Sequence, residues 1–374
     1  MRDSMPGKPA LLDREYAVHA DELVRLDKLL LLDTLRKLRS ASSTAALRRA
    51  VGELRRDVGG RLRARAKTEA VEFLPGRLDD DLDQIVESQT IERAHYYLDR
   101  LVRAVTEVRT SPVNDINLNR WKEYDDIHTD SLWCVDQRDG SGVHTARYWG
   151  NFIPQIPHQM MRRYTKRGEW VLDVFAGMGT TLIEGQRLGR NTVGVELQTS
   201  VARQARRLVA NEKNGKKVVA KLVTGDSATV NYGSILRRLG RESVQLVIMH
   251  PPYFDIIKFS EDERDLSNAP SVEAFLEMMG RVVDNVAPVL DDDRYLAVVI
   301  GDKYANGEWV PLGFMTMNAV LERGYTLKSI IVKNFEETSG KRHQKELWKY
   351  RALAGGFYVF KHEYIFVFRK NAQR

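Results

Sequence analysis

The spacing of apolar residues changes near residue 120, and the change divides the chain into two parts. Before it, apolar positions such as Leu26 and Leu30 recur every three or four residues, which is typical of amphipathic helices. The predicted helices lie at 21–39, 46–67 and 91–108. After it, short apolar runs end in glycine or proline and alternate with helical patterns, which indicates buried parallel strands. We therefore predict a helical domain, 1–120, and an α/β domain, 121–374, with a mostly parallel sheet covered on both faces.

A strand, a glycine turn and a helix follow one another in the second part. The apolar run 170–175 leads into Gly177-Met-Gly179, and a helical pattern follows. Such glycines allow a ligand to approach the backbone where a Cβ would collide. The next apolar run, 192–195, ends in Glu196, about 20 residues past the turn, where an acid that binds ribose belongs. These residues predict a nucleotide-type cofactor site, which could serve NAD or S-adenosylmethionine.

Two further features narrow the choice of cofactor. The dinucleotide pattern needs a third glycine, and Leu182 occupies that position. A later apolar run, 244–249, ends in His-Pro-Pro-Tyr, residues 250–253. The two motifs in this order, Phe-x-Gly-x-Gly-Thr-Thr (175–181) and x-Pro-Pro-Tyr, resemble the DNA amino-methyltransferases, which methylate adenine N6 or cytosine N4. The resemblance covers about residues 148–370.

The resemblance implies a Rossmann-like methyltransferase sheet with an antiparallel last strand, 363–368, and S-adenosylmethionine as the cofactor. Glu196 would hold the ribose and Asp226 the adenine amino group, while an extended segment at 151–154 would close over the methionine part. The implied cofactor-binding residues are Asn151, Phe152, Pro154, Asp173, Phe175, Gly177, Gly179, Thr180, Thr181, Glu196 and Asp226. Alternatively, the extended segment is an arm packed on the sheet, and Asp226 is an ordinary helix cap.

The second motif fits the chemistry of amine methylation. An exocyclic amine is a poor nucleophile because its lone pair is conjugated with the ring, so the enzyme must accept hydrogen bonds from both of its N–H groups. The side chain of the first motif residue and the Pro251 carbonyl would be these acceptors, since successive prolines offer no N–H donors. Tyr253 would stack on the flipped base. The predicted catalytic residues are His250, Pro251, Pro252 and Tyr253.

His250 departs from the family pattern, in which Asp or Asn is common in adenine enzymes and Ser in cytosine enzymes. A neutral imidazole can accept one hydrogen bond and an imidazolium none. The target atom, adenine N6 or cytosine N4, therefore stays open.

The charge balance favours a polyanionic partner, because 58 Lys and Arg residues exceed 51 Asp and Glu residues by 7. Two segments are candidates for DNA contact: the basic part of the predicted helix 46–67 and a loop at 334–356, where basic and aromatic residues alternate. The predicted DNA-binding residues are Arg61, Arg63, Arg65, Lys341, Arg342, Lys345, Lys349 and Arg351. A solvated helix face and a connector with inward aromatic rings are the respective alternatives.

Several classes are excluded or disfavoured. There is no run of about 18 apolar residues and no signal-peptide pattern, so we predict a cytoplasmic protein without a membrane partner. The single cysteine, Cys134, excludes an intramolecular disulfide and a cysteine-based metal site. We expect it to be buried, and we expect no metal. The run Leu30–Leu32 could form a dimer seam, which leaves a homodimer open.

The predicted function is site-specific methylation of DNA on an exocyclic amine, in restriction–modification or phage defence. An RNA or protein-glutamine methyltransferase is the nearest alternative, because such enzymes also use x-Pro-Pro-Tyr. A non-catalytic DNA-binding protein and an NAD oxidoreductase are less favoured.

Overall fold

The computed structural model describes residues 23–65, 67–74, 76–145, 148, 150–335 and 345–372. They form two compact units. The first contains the described residues up to Pro112 together with Ile116–Ile127, and the second contains Val113–Asp115 and the residues from His128 onward. No helix among the described residues is both long and apolar enough to cross a membrane.

The first unit packs four helices and a strand pair around a leucine-rich core. Its elements are β1 (Val24–Asp27), α1 (Lys28–Arg39), α2 (Thr44–Val58), β2 (Ala70–Phe73), α3 (Arg77–Val86) and α4 (Ile91–Thr106). The two strands are antiparallel. Leu31, Leu54, Leu82 and Leu98 are among the buried core residues. Because Leu31 and Leu32 lie in this core, only Leu30 of the predicted dimer seam is exposed.

Two predicted helices of this unit have different bounds. The one predicted at 21–39 begins at Lys28, because the preceding residues form β1 and the Asp27 side chain caps the helix by accepting from Leu30 N at 3.0 Å. The one predicted at 46–67 ends at Val58, where Gly59 and Gly60 follow. Arg61, Arg63 and Arg65 were predicted to lie on this helix, and that prediction is therefore wrong. The third, predicted at 91–108, is confirmed as α4.

The second unit is built on an eight-stranded sheet in the order β3-β11-β12-β8-β7-β4-β5-β6. Its strands are β3 (Leu132–Trp133), β4 (Trp170–Asp173), β5 (Asn191–Glu196), β6 (Ala220–Thr224), β7 (Val244–Met249), β8 (Leu290–Ile300), β11 (Tyr325–Asn334) and β12 (His362–Lys370). β12 is antiparallel to both of its neighbours, and the other pairings are parallel. The predicted fold class, a mostly parallel sheet with an antiparallel last strand, is confirmed.

Helices cover both faces of this sheet. They are α5 (Gln155–Tyr164), α6 (Thr180–Leu188), α7 (Thr199–Asn211), α8 (Tyr232–Arg238), α9 (Val272–Val286), α10 (Leu312–Leu321) and α11 (Lys345–Gly355). Every residue of β4 is buried. Leu172 joins the core on one face and Val171 the core on the other, so the lack of alternation in this strand was a correct indicator of two covered faces.

The order of the strands places two chain segments side by side. From β4 the chain moves outward through β5 and β6, and then returns to the other side of β4 as β7. The carboxyl ends of β4 and β7 therefore flank a topological switch point, where parallel α/β sheets bind ligands. The glycine turn follows β4 and His250 follows β7.

Local sequence signals set the start of two helices in this unit. α5 begins at Gln155, and Pro157 lies in its first turn, where no N–H is required. α10 begins at Leu312. The preceding residues form a hairpin of β9 (Lys303–Ala305) and β10 (Glu308–Val310). Its Asn306-Gly307 turn has positive φ at both residues, a sequence signal that predicts a hairpin.

Two expectations for this unit were wrong. The segment 334–356 was predicted to be a loop, but it contains α11, whose sequence has no clear apolar periodicity. Cys134 was expected to be buried and is exposed, because it lies next to the short edge strand β3.

Candidate active site

A cavity of about 1250 Å³ opens at the carboxyl ends of β4, β5 and β7. Of the predicted site residues, it is lined by Asn151, Phe152, Phe175, Gly177, Glu196, Asp226, His250, Pro251, Pro252 and Tyr253. The predicted cofactor residues that do not line it are Pro154, Asp173, Gly179, Thr180 and Thr181. The tertiary structure thus brings both sequence motifs to one cavity, and it gives the remaining residues supporting positions.

The glycine turn is tied to the end of the next strand. Gly177 N donates to Glu196 Oε2 at 3.0 Å, and Gln198 N donates to Glu196 Oε1 at 2.8 Å. Glu196 is only 8% exposed. Burial raises its pKa to about 7; the two N–H donors oppose this, while the negative charges of Asp173 and Asp265 add to it. Each carboxylate oxygen has a second lone pair, which can accept from a ligand hydroxyl.

Gly179 has a packing role. It begins α6 with φ +83°, and a Cβ at this position would lie 2.9 Å from Val209 Cγ2 on α7. The absence of a side chain thus allows the close approach of α6 and α7, whereas the sequence suggested close approach of a ligand.

Asp173 and Thr180 support the cavity from outside its lining. Asp173 is fully buried, and its Oδ1 accepts from Phe175 N at 3.0 Å, which fixes the start of the glycine turn. Burial raises the pKa of Asp173 to about 6, against the opposing effects of the Thr181 hydroxyl and the Phe175 N–H. Thr180 Oγ1 donates to Asn151 Oδ1 at 2.9 Å, and this bond holds the extended segment against α6.

Asp226 caps a turn and not a helix, because α8 begins at Tyr232 and has Asn231 as its cap. Its Oδ1 accepts from Ala228 N at 2.9 Å and its Oδ2 from the Thr229 hydroxyl at 3.1 Å. The same side chain lines the cavity. A carboxylate has about four lone-pair sites, so these two bonds leave acceptor capacity facing the cavity.

One wall of the cavity depends on a contact between two rings that the sequence motifs do not predict. The rings of Tyr148 and Phe259 lie 6.1 Å apart, and Gln198 Nε2 donates to the Phe259 carbonyl at 3.0 Å. Gly150 leaves room for the Phe259 ring, since a Cβ there would lie 2.7 Å from Phe259 Cζ. The loop after β7 is thus held over the glycine turn. No spacing signal could have revealed this wall, because Tyr148 and Phe259 are more than a hundred residues apart.

The Pro-Pro-Tyr turn lies beside a chain of polar groups. His250 Nε2 is 3.2 Å from Tyr253 Oη, which donates to Glu363 Oε2 at 2.7 Å. Glu363 Oε1 pairs with Lys333 Nζ at 3.2 Å. The Phe152 ring lies 4.8 Å from the His250 ring. Desolvation lowers the pKa of His250 to about 4, more strongly than the charge of Glu363 raises it, and Lys333 adds to the lowering.

A family model described as DNA methylase matches residues 80–207 and 244–374, more than half of the chain. The chain belongs to this family. The resemblance carried by the two motifs is thereby confirmed, and with it S-adenosylmethionine as the cofactor.

Curated proteins similar to this chain are type II methyltransferases, each similar over a short stretch. M.MthZI of Methanothermobacter thermautotrophicus is 42% identical over 79 residues, which cover 21% of each chain. M.MjaII of Methanocaldococcus jannaschii is 36% identical over 56 residues, 15% of this chain and 10% of its own. M2.DpnII of Streptococcus pneumoniae is 29% identical over 106 residues, 26% of this chain and 40% of its own. The chain thus spans less than half the length of these relatives.

Among solved structures, TrmN from Thermus thermophilus is similar in fold. The alignment covers 59% of this chain and 49% of the TrmN chain. The identity is 15% and the TM-score 0.38, too low to transfer a substrate or a reaction.

A cluster of polar side chains includes Glu184 of α6. Asp139, His144 and Glu184 each place one ligand-type atom within 4.8 Å of the others. The Arg187 guanidinium lies 3.4 Å from Asp139 Oδ2 and 3.2 Å from Glu184 Oε1. An arginine therefore already supplies positive charge to these carboxylates, and the expectation of no metal stays a prediction.

The structure describes only some of the predicted DNA-binding residues. In the first unit, Arg61, Arg63 and Arg65 are exposed, and Arg61 pairs with Asp57 at 2.6 Å. Lys349 and Arg351 are exposed on α11. Lys341 and Arg342 lie outside the described residues, as does the side chain of Lys345.

Proposed function

We propose that the chain transfers a methyl group from S-adenosylmethionine to an exocyclic amino group of a base in DNA. The observation that carries the proposal is the position of His250-Pro-Pro-Tyr253, which lines the same cavity as the glycine turn and Glu196. A methyl donor and an amine acceptor could therefore meet there without a covalent enzyme intermediate.

The cavity has groups suited to each part of the cofactor. Glu196 has free lone pairs for the ribose hydroxyls, and Asp226 can accept from the adenine amino group. Asn151 and Phe152 border the same space and suit the methionine part. Bound S-adenosylmethionine would supply an activated methyl group on its sulfonium.

His250 and Pro251 would prepare the amine. A low pKa keeps His250 neutral at pH 7, so its imidazole can accept a hydrogen bond from one amine N–H. The Pro251 carbonyl would accept from the other N–H, which draws the nitrogen lone pair out of conjugation. An amine held in this way would present its nitrogen lone pair to the activated methyl group that the bound cofactor would supply.

Tyr253 has a position suited to stacking. Its ring packs against the backbone at Gly301, where a Cβ would lie 2.9 Å from Tyr253 Cε2. A ring supported in this way can stack on a base flipped out of a duplex.

Charge and relatives favour DNA as the substrate. The excess of basic residues suits a polyanion, and the curated relatives are named type II methyltransferases, which fits a restriction–modification setting. A DNA substrate also fits the cytoplasmic location predicted from the sequence.

Two exposed basic surfaces would contact DNA phosphates. One comprises Arg61, Arg63 and Arg65 in the first unit. The other is α11, where Lys349 and Arg351 lie among exposed apolar residues, with Tyr350 at 69% and Leu353 at 76% exposure. Cations beside exposed aromatic rings suit phosphate contact combined with base stacking.

The test is transfer of a labelled methyl group from S-adenosylmethionine to duplex DNA, with RNA and protein as competing substrates in the same reaction. We expect label in DNA only. Mass spectrometry of the digested nucleosides would then distinguish N6-methyladenine from N4-methylcytosine. Label in RNA or in protein glutamine would replace the proposal by the corresponding alternative. Binding of DNA without any transfer would favour a non-catalytic binding protein.

A further inference from the structure

The Tyr253 hydroxyl lies between a carboxylate and an imidazole. It donates its single proton to Glu363 Oε2 at 2.7 Å, and His250 Nε2 lies 3.2 Å from the tyrosine oxygen, Oη. Because that proton is committed to the carboxylate, the second contact is a hydrogen bond only if His250 Nε2 carries a proton and donates. A neutral imidazole has one N–H, so His250 Nδ1 is then its acceptor.

The orientation of Glu363 is fixed by the strand opposite it. Lys333 on β11 pairs directly with Glu363 on β12, and both side chains are buried at 5% exposure. An ammonium group can only donate, and Lys333 Nζ lies 3.2 Å from Oε1. The lysine thus occupies one carboxylate oxygen, and the other oxygen accepts from Tyr253.

Two further polar residues of the cavity, His362 and Asp302, have hydrogen-bond partners other than His250. His362 and Asp302 line the same cavity, but His362 Nε2 is 3.0 Å from Tyr364 Oη, which donates to Asp302 Oδ2 at 3.2 Å. The Phe152 ring beside His250 is apolar. Among the described groups around the imidazole, Tyr253 is therefore the hydrogen-bond partner that sets its tautomer.

We propose that Glu363 and Lys333 are positioning residues which act through Tyr253 to hold His250 as the tautomer whose Nδ1 accepts a hydrogen bond from the target amine. The identity of the amine rests on the proposed function, whereas the tautomer does not. None of the sequence motifs includes Glu363 or Lys333.

Glu363→Gln tests the proposal with almost no change of shape. Since Lys333 can only donate, the amide oxygen of the glutamine must face it, and the amide NH₂ must face Tyr253. The tyrosine hydroxyl then accepts from the NH₂ and turns its own proton toward His250 Nε2. The imidazole proton moves to Nδ1, and the acceptor that would face the amine disappears.

The primary measurement is histidine ¹⁵N NMR on the full chain at pH 7.5 with S-adenosylhomocysteine, with the His250 signals assigned from their loss in His250→Asn. We expect Nε2 protonated in the natural protein and Nδ1 protonated in Glu363→Gln. Single-turnover DNA methylation should fall on the order of 10²-fold or more, because a wrong tautomer removes the catalytic acceptor. S-adenosylhomocysteine affinity should change less than about twofold, since neither Glu363 nor Lys333 is among the residues proposed to bind the cofactor.

Tyr364→Phe is the matched control, because it removes a hydroxyl from the neighbouring His362–Tyr364–Asp302 chain. It should leave the His250 tautomer unchanged. A Glu363→Gln protein that keeps Nε2–H would overturn the proposal, and so would an inverted tautomer in Tyr364→Phe.

Should Glu363→Gln fail to fold, Tyr253→Phe decides the matter, since it keeps the ring and removes only the hydroxyl. We expect both tautomers in that variant, and a single Nε2–H tautomer would refute the role of the tyrosine. If the natural protein methylates no DNA, the proposed function fails, while the NMR comparison still decides the tautomer.

Discussion

At the scale of single residues, His250 and Glu196 carry opposite pKa shifts in one cavity. Burial disfavours the charged form of each group, so it lowers the pKa of the imidazole to about 4 and raises that of the carboxyl to about 7. The chemical step and cofactor binding should therefore respond to pH in different ranges.

The methylation rate at saturating cofactor should be nearly flat from pH 8 to about 5 and fall only toward pH 4. The reason is that His250 accepts a hydrogen bond only while neutral, and its pKa is about 4. His250→Ala should abolish transfer and preserve cofactor affinity, whereas His250→Asn should retain part of the rate through its amide oxygen. Single-turnover kinetics would measure this. A fall centred near pH 6.5 would mean that the imidazole is not desolvated, and an Ala variant with the natural rate would remove His250 from the mechanism.

Cofactor affinity should decrease as pH falls below about 7, by up to about tenfold per pH unit. In the proposed function, ionised Glu196 would accept from the ribose hydroxyls, and its pKa of about 7 means that it is protonated at lower pH in the free protein. Calorimetry with S-adenosylhomocysteine between pH 5.5 and 8 would show the slope, and Glu196→Gln should flatten it. Equal affinity at pH 5.5 and 8 in the natural protein would exclude the ribose assignment.

The same carboxyl affects folding stability of the ligand-free chain. Its folded pKa of about 7 exceeds the ordinary value of 4.5. The folded state therefore binds more protons between these values, and this contribution to stability is present below about pH 4.5 and lost as pH rises through 7. Cofactor binding opposes the loss, because it supplies partners to the ionised form.

At the scale of elements, the junction between α6 and α7 depends on Gly179. A side chain there would meet Val209 at 2.9 Å and would have to adopt φ +83°. Gly179→Ala should lower the free energy of unfolding by about 2–4 kcal/mol, which combines the left-handed backbone cost with overpacking. Gly189→Ala is the control, because it shares a positive φ of +72° without a contact shorter than 3.4 Å. Denaturant titration would measure both variants. Equal losses would show that backbone strain alone is responsible.

The α11 surface should contribute to DNA affinity through phosphate contacts. Replacing Lys349 and Arg351 by Ala should flatten the dependence of log affinity on log salt by roughly 0.9 for each phosphate that is no longer neutralised. Lys216→Ala with Lys217→Ala removes the same charge from an exposed turn at the amino end of β6, whereas the cavity lies at the carboxyl ends of the parallel strands. Fluorescence anisotropy at several salt concentrations would compare them. Equal slopes in both double variants would return α11 to a packing role.

At the scale of the whole molecule, ligand binding should be visible as stabilisation. S-adenosylmethionine or S-adenosylhomocysteine should raise the melting temperature, and NAD should not, because Leu182 replaces the third glycine of the dinucleotide pattern. At a ligand concentration 100 times the Kd, the gain is about 2.7 kcal/mol. Glu196→Ala should reduce the binding free energy by about 1–3 kcal/mol. Differential scanning fluorimetry is sufficient, and stabilisation by NAD would contradict the cofactor assignment.

The first unit can be tested for DNA contact in the full chain. Replacing Arg61, Arg63 and Arg65 together by Ala should reduce the salt slope, since three exposed cations are removed. The three side chains lie beyond the end of α2, so the variant should keep the helix. An unchanged slope would leave the unit with a packing or dimerisation role.

The sequence alone determined the sheet, the family and the two motifs, because these depend on local order along the chain. A buried strand lacks alternation, a glycine turn follows it, and Pro-Pro fixes its own backbone, so each feature can be recognised within a few residues. Helix bounds were determined less well. The apolar period continues into β1 and past Val58, while the Asp27 cap and the glycines after Val58 set the actual ends.

Only the tertiary structure decided the rest of the site, because the contacts that form it join distant parts of the chain. Tyr148 meets Phe259, and Tyr253 donates to Glu363 across 110 residues of sequence. The position of β12 between β8 and β11 brings Glu363 beside the Pro-Pro-Tyr turn. No spacing rule connects these residues, since strand order in a sheet depends on packing of the whole domain. For that physical reason the proposed acceptor, His250, could be identified from the sequence, and the groups proposed to orient it could not.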